Sequence, residues 1–91
     1  MPRYHMPQDR LIKRILHSYA DCLVLEDGDV NYEESCYNIS VRMMETLSES
    51  QQDSIFGAPF EDQQECFDYI VKHIPGLCEG MIEFAEENGL K

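Results

Sequence analysis

The sequence predicts an all-α fold, a compact single-domain bundle of four or five helices over residues 1–91. Three observations predict it. Apolar residues recur at spacings of three and four along most of the chain, the period of a helix face. Turn and cap residues, among them Asp27-Gly28, Ser48, Gly57-Ala58-Pro59 and Pro75, separate those stretches at intervals of helix length. A chain of 91 residues supports one core, burying only about 60–65% of its unfolded surface, and it contains no internal repeat, low-complexity segment or Gly/Ser/Pro linker that would divide it.

Residues 7–25 form the first predicted helix, with Leu11, Ile12, Ile15, Leu16, Tyr19, Cys22 and Leu23 on its apolar stripe. Pro7 suits its first turn, and Asp9 favours the positive end of the helix dipole. Its other side gathers Arg10, Lys13, Arg14 and His17 into a basic stripe, read as a solvated face that complements acids elsewhere in the fold, with a phosphate- or RNA-binding stripe as the alternative. Residues 35–47 fit two patterns. Tyr37, Ile39, Val41 and Met43 alternate as in a half-buried strand, which leaves open a hairpin pairing 22–25 with 37–43. Met44 breaks the alternation, and Cys36, Tyr37, Ile39, Val41, Met43, Met44 and Leu47 cover one broad arc of a helical wheel opposite Asn38, Arg42 and Glu45, so a central helix is preferred.

Ser48 followed by Gln51 is a capping-box pattern and Gly57 a C-terminal stop, giving a short helix over about 49–56. From 61 to 74, Cys66, Phe67, Ile70, Val71 and Ile74 form the next stripe, with Glu61, Glu65, Asp68 and Lys72 outside and Asp68 spaced to pair with Lys72. Pro75 ends that helix. The last, about 76–88, places Leu77, Cys78, Met81, Ile82, Phe84 and Ala85 inside and Glu79, Glu83, Glu86 and Glu87 outside. The i,i+4 pairs of like charge on that outer face each cost a few tenths of a kcal/mol, and two of the acids oppose the dipole in the last turn. A face that accumulates such penalties serves solubility or meets a positive surface.

Charge is the strongest signal in the composition. Eighteen acids oppose seven bases, for a net charge of −11. The imbalance is polarised: residues 1–20 carry four bases and one acid, residues 21–91 seventeen acids and three bases. Such a body repels nucleic acid and anionic membrane and is steered toward basic surfaces. The N-terminal MPRYHMPQDR has no apolar h-region, and no stretch approaches the roughly 18 apolar residues of a membrane span, so a cytoplasmic protein is expected.

Cys22, Cys36, Cys66 and Cys78 are spaced 14, 30 and 12 apart without a C-x-x-C pair. That is neither a zinc ribbon nor a redox dithiol, and each cysteine falls on an apolar stripe, so buried reduced thiols are expected and no metal or cofactor is; a zinc site that adds His73, or a structural disulfide, is the alternative.

Residues 24–34, VLEDGDVNYEE, resemble the second half of an EF-hand loop. Aligned on Gly28 as sixth residue, the chain supplies Asp27 fifth, Asn31 ninth and Glu34 twelfth. The resemblance implies a calcium site, but its first and third positions are Leu23 and Leu25, which offer no oxygen to a cation needing six to eight. A polar turn around Asp27 and Gly28 is the alternative that this departure favours.

No P-loop, G-x-G-x-x-G or H-E-x-x-H motif is present, and His73 lies near Cys66 and Cys78 only at spacings that packing alone would give, so no enzyme is expected. The expected function is a small acidic binding protein, an inhibitor or regulator occupying a basic, nucleic-acid-binding surface of a partner protein. In size and charge the chain is similar to the acidic helical inhibitors that phages carry against host defence or transcription. The expected contact is Glu79, Glu83, Glu86 and Glu87, extended by Glu61, Glu65 and Asp68. The alternative expectation is a regulatory or structural subunit that associates through an apolar groove, its charge serving solubility. A homodimer is compatible with either.

Overall fold

Pro7, with φ −54° and ψ 145°, stands at the N-cap of α1 (Gln8–Ser18), one residue outside the first turn where the sequence predicts it. Its carbonyl accepts the Leu11 amide at 2.9 Å. The structure is a computed structural model that describes residues 7–89. Arg3 and Lys91, which enter the charge count, lie outside the described residues.

The first predicted helix is too long. α1 stops at Ser18, a 3-10 turn follows at Ala20–Cys22, and the chain then forms a two-stranded hairpin, β1 (Leu25–Glu26) and β2 (Asp29–Val30), pairing Leu25 with Val30 and Glu26 with Asp29. The cause is tertiary. The Cys22 carbonyl accepts the Asn38 carboxamide at 3.3 Å, the Ser35 hydroxyl accepts the Val24 amide at 2.8 Å, and the Val24 carbonyl accepts the Asn31 amide at 2.8 Å. These partners take the place of the i→i−4 bonds that a continued helix would make. Tyr19 and Cys22 are nevertheless buried, as their helical spacing suggests. Asp27 and Gly28 form the hairpin tip with φ of 53° and 83°, the paired positive values that a type I′ hairpin loop requires and that Asp-Gly supplies. The turn read from the sequence is therefore a hairpin tip between α1 and the next helix.

That next helix, α2 (Tyr32–Thr46), occupies the segment with the ambiguous pattern, and the hairpin between 22–25 and 37–43 does not form. Asn31 caps it, its side-chain oxygen accepting the Glu34 amide at 3.1 Å. Ser35, Cys36, Ile39, Ser40 and Met43 face inward. Tyr37, placed on the apolar arc by the wheel, is 50% exposed and sits edge-on to Phe67 with ring centres 6.0 Å apart.

α3 (Glu49–Phe56) carries the predicted capping box in full: Ser48 Oγ accepts the Gln51 amide at 3.1 Å and Gln51 Oε1 accepts the Ser48 amide at 2.8 Å. Gly57 ends it at φ 88°. α4 (Gln63–His73) begins two residues later than predicted, because the Asp62 carboxylate accepts the Glu65 amide at 2.9 Å and fixes Asp62 as the cap. α5 (Leu77–Glu87) matches the predicted stretch to within a residue at each end.

α2 packs along α4, and α1 packs against α5. Ile15, Ile39, Ile70, Leu77 and Met81 are fully buried at the centre. Gly80 sets the α1–α5 distance: a Cβ there would lie 3.0 Å from Ile12 Cγ2 and 3.5 Å from Leu16 Cδ1. Besides Ser35, two polar side chains among the described residues are buried with their partners supplied. Ser40 Oγ donates to the Tyr37 carbonyl at 2.7 Å and accepts Gln63 Nε2 at 2.8 Å. Gln52 Nε2 donates to the Leu47 carbonyl at 3.1 Å while its Oε1 accepts the Phe60 amide at 2.9 Å, which pins the α3–α4 loop. Among the described residues, no helix is long and apolar enough to cross a membrane.

Candidate protein-docking surfaces

Leu77, Met81 and Ala85, at successive i,i+4 positions, bury the inner stripe of α5, which turns Glu79, Glu83, Glu86 and Glu87 to solvent. Across from them runs α1. A groove of about 390 Å³ separates the two helices, with Ile12, Leu16 and Phe84 contributing apolar surface and Glu79, Glu83 and Glu87 facing Lys13 and His17. The His17 ring stands edge-on to Phe84 at 6.2 Å. Half of the basic stripe is thus brought to the acidic ridge, while Arg10, Arg14 and Glu86 do not line the groove. Among the described residues, no ion pair forms across it. Among the described residues the ion pair within 4 Å is Arg42–Asp21, at 3.2 Å and exposed.

Glu61, Glu65 and Asp68 belong to a different surface. They line a cavity of about 480 Å³ between the α3–α4 loop and α4, and this cavity shares no residue with the α1–α5 groove. Its wall is aromatic. Phe56, Phe60 and Tyr69 stand 5.0–5.6 Å apart, centre to centre, and His73 lies 5.5 Å from Tyr69. Burial pushes the Tyr69 hydroxyl above its usual range, so it stays protonated. The carboxylates are held locally: Asp68 Oδ1 accepts Gln64 Nε2 at 3.1 Å, and Glu65 Oε1 accepts the Glu61 amide at 3.3 Å. Asp68 therefore turns back one helical turn to Gln64, and the predicted pair with Lys72 is not formed.

The acids of this cavity were legible in the sequence, but its aromatic wall was not. Tyr69 and His73 at i,i+4, following Phe56 and Phe60, are the signal available; reading them as one cluster requires the loop geometry that Gln52 imposes.

The hairpin uses the EF-hand-like residues for folding. Asn31 caps α2 and donates its Nδ2 to Glu26 Oε2 at 3.0 Å, while the Glu34 amide is bound to that cap. Among the described residues, no three His, Cys, Asp or Glu side chains form a group that could hold a metal ion.

Cys22, Cys36 and Cys66 lack the setting of nucleophiles. Cys22, Cys36 and Cys66 are buried and Cys78 is half-buried, all unbridged. Burial pushes Cys36 and Cys66 up to about 12, and Cys22 upward as well, so these thiols are protonated at neutral pH. His73 is exposed against Tyr69. Compared with family models, curated proteins and solved structures, the chain matches none.

Proposed function

We propose that this protein is a non-enzymatic inhibitor or regulator that docks through its acidic α4 and α5 surfaces onto a basic, nucleic-acid-binding surface of a partner protein. One observation carries the reading. Glu61, Glu65, Glu79, Glu83, Glu86 and Glu87 are exposed, and no cation among the described residues lies within ion-pair distance of them. Their charge is available to a partner. A surface that normally holds phosphates carries lysines and arginines on flexible stems and accepts negative charge in several geometries. The chain would act without contacting nucleic acid itself, and in the cytoplasm, where free thiols stay reduced. The test is capture from a host lysate at low and high salt, using the native chain and the Glu79→Gln, Glu83→Gln, Glu86→Gln, Glu87→Gln variant. Charge-driven docking predicts a basic protein retained at low salt, released at high salt and lost with the variant.

The α1–α5 groove supports a second reading. Ile12, Leu16 and Phe84 give it an apolar floor. A regulatory or structural subunit associating there would be retained at both salt concentrations.

A further inference from the structure

We infer that the cavity between the α3–α4 loop and α4 is the specificity pocket of the docking surface and receives one arginine side chain of the partner protein. This rests on the charge-driven reading above and adds a specific occupant. The carrying observation is the combination of an aromatic wall and an acidic lip in one cavity. Phe56, Phe60 and Tyr69 are packed against one another, and Glu61, Glu65 and Asp68 line the same space of about 480 Å³. That volume lies within the range of about 300–1,000 Å³ typical of ligand pockets. It accommodates a long side chain.

The chemistry selects the occupant. A phosphate-bearing ligand is opposed by three carboxylates. A bare divalent cation needs a shell of oxygens, whereas rings occupy much of this wall and Asp68 and Glu65 each already commit one oxygen to a neighbour. An apolar side chain would cover the rings but leave the negative charge of the carboxylates uncompensated. A guanidinium satisfies both parts. It is planar and weakly hydrated, it stacks on aromatic faces, and its five N–H donors reach carboxylate oxygens lying to the side. A lysine ammonium is compact and strongly hydrated and exploits the rings less well. The Gln52 bond to the Phe60 amide holds the loop side of the pocket in place, so the rings need little reorganisation on binding.

The test is an amide NMR titration of the full chain with N-acetyl-arginine amide, run beside the lysine and citrulline analogues. Saturable shifts confined to Phe60, Glu65, Asp68, Tyr69 and His73 are expected. Binding of citrulline, which keeps the shape and loses the charge, should be roughly tenfold weaker. A Glu65→Gln, Asp68→Asn variant, checked for an unchanged thermal midpoint, should lose arginine binding by a similar factor, while the four-glutamine α5 variant should retain it. Equal shifts from arginine and lysine spread along α5 would overturn the pocket and leave charge-driven docking intact. An absence of arginine-dependent shifts would also overturn the pocket. The underlying reading fails separately, if the captured partner persists at high salt with both variants.

Discussion

The Ser35 hydroxyl accepts the Val24 amide at 2.8 Å, joining the approach to the hairpin to the first turn of α2 across a part-buried interface. Ser35 itself is fully buried. Replacing it with alanine strands the Val24 N–H, and a donor left unsatisfied costs about 1–3 kcal/mol. We expect Ser35→Ala to lower the denaturation free energy by that amount and to accelerate hydrogen exchange at the Val24 amide. Unchanged protection at Val24 would mean that another acceptor takes over.

Gln52 has a comparable role between α3 and the aromatic cavity. Its side chain bridges the Leu47 carbonyl and the Phe60 amide. Gln52→Leu keeps the bulk and removes both bonds, so a loss of about 1–3 kcal/mol is expected, together with shifted resonances for Phe60 and Tyr69. Native ring environments in the variant would refute the bridging role.

Stability should fall in alkali. The Cys36 and Cys66 thiols, with an ordinary value of 9.0, are pushed up to about 12 by burial, and burial also raises the Tyr32 and Tyr69 hydroxyls. Between these limits the folded chain holds protons that the unfolded chain releases. Stability is therefore complete below about pH 9 and declines as pH rises toward 12, at up to about 1.4 kcal/mol per pH unit for each thiol. Urea midpoints measured across this window should show the decline. Cys36→Ala should be less stable at neutral pH, from the cavity it leaves, and should show a shallower alkaline slope.

Neutralising the α5 ridge should not harm the fold. Glu79, Glu83, Glu86 and Glu87 are exposed, and their i,i+4 repulsions are worth a few tenths of a kcal/mol each. The four-glutamine variant should melt at the native temperature or slightly higher. Lys13 and His17 across the groove gain less from a neutral ridge, which limits the increase. A marked drop in melting temperature would show that the ridge stabilises α1 against α5.

Calcium should not bind at sensor concentrations. Leu23 and Leu25 occupy the positions where ligands are needed, and Asn31 is committed to the α2 cap and to Glu26. Calorimetric titration is expected to give no heat of binding with a dissociation constant in the sensor range of about 10⁻⁷–10⁻⁵ M.

How far each feature was legible depends on the range of the interactions behind it. The capping box of Ser48 and Gln51, the Gly57 stop and the apolar stripes of α4 and α5 are local: each partner lies within four residues, so the order of residues alone determines them. The outward placement of Glu79, Glu83, Glu86 and Glu87 follows from the same periodicity. The early end of α1 does not, because Asn38, Ser35 and Asn31 capture the backbone of residues 22–24 from seven or more positions away. Nor does the division of the predicted acidic surface. Helix packing sends Glu79, Glu83 and Glu87 to a groove shared with Lys13 and His17, and it sends Glu61, Glu65 and Asp68 to an aromatic cavity. Periodicity determines which face of a helix meets solvent. Only the packing of α1 against α5, and of the Gln52-pinned loop against α4, decides what stands opposite that face.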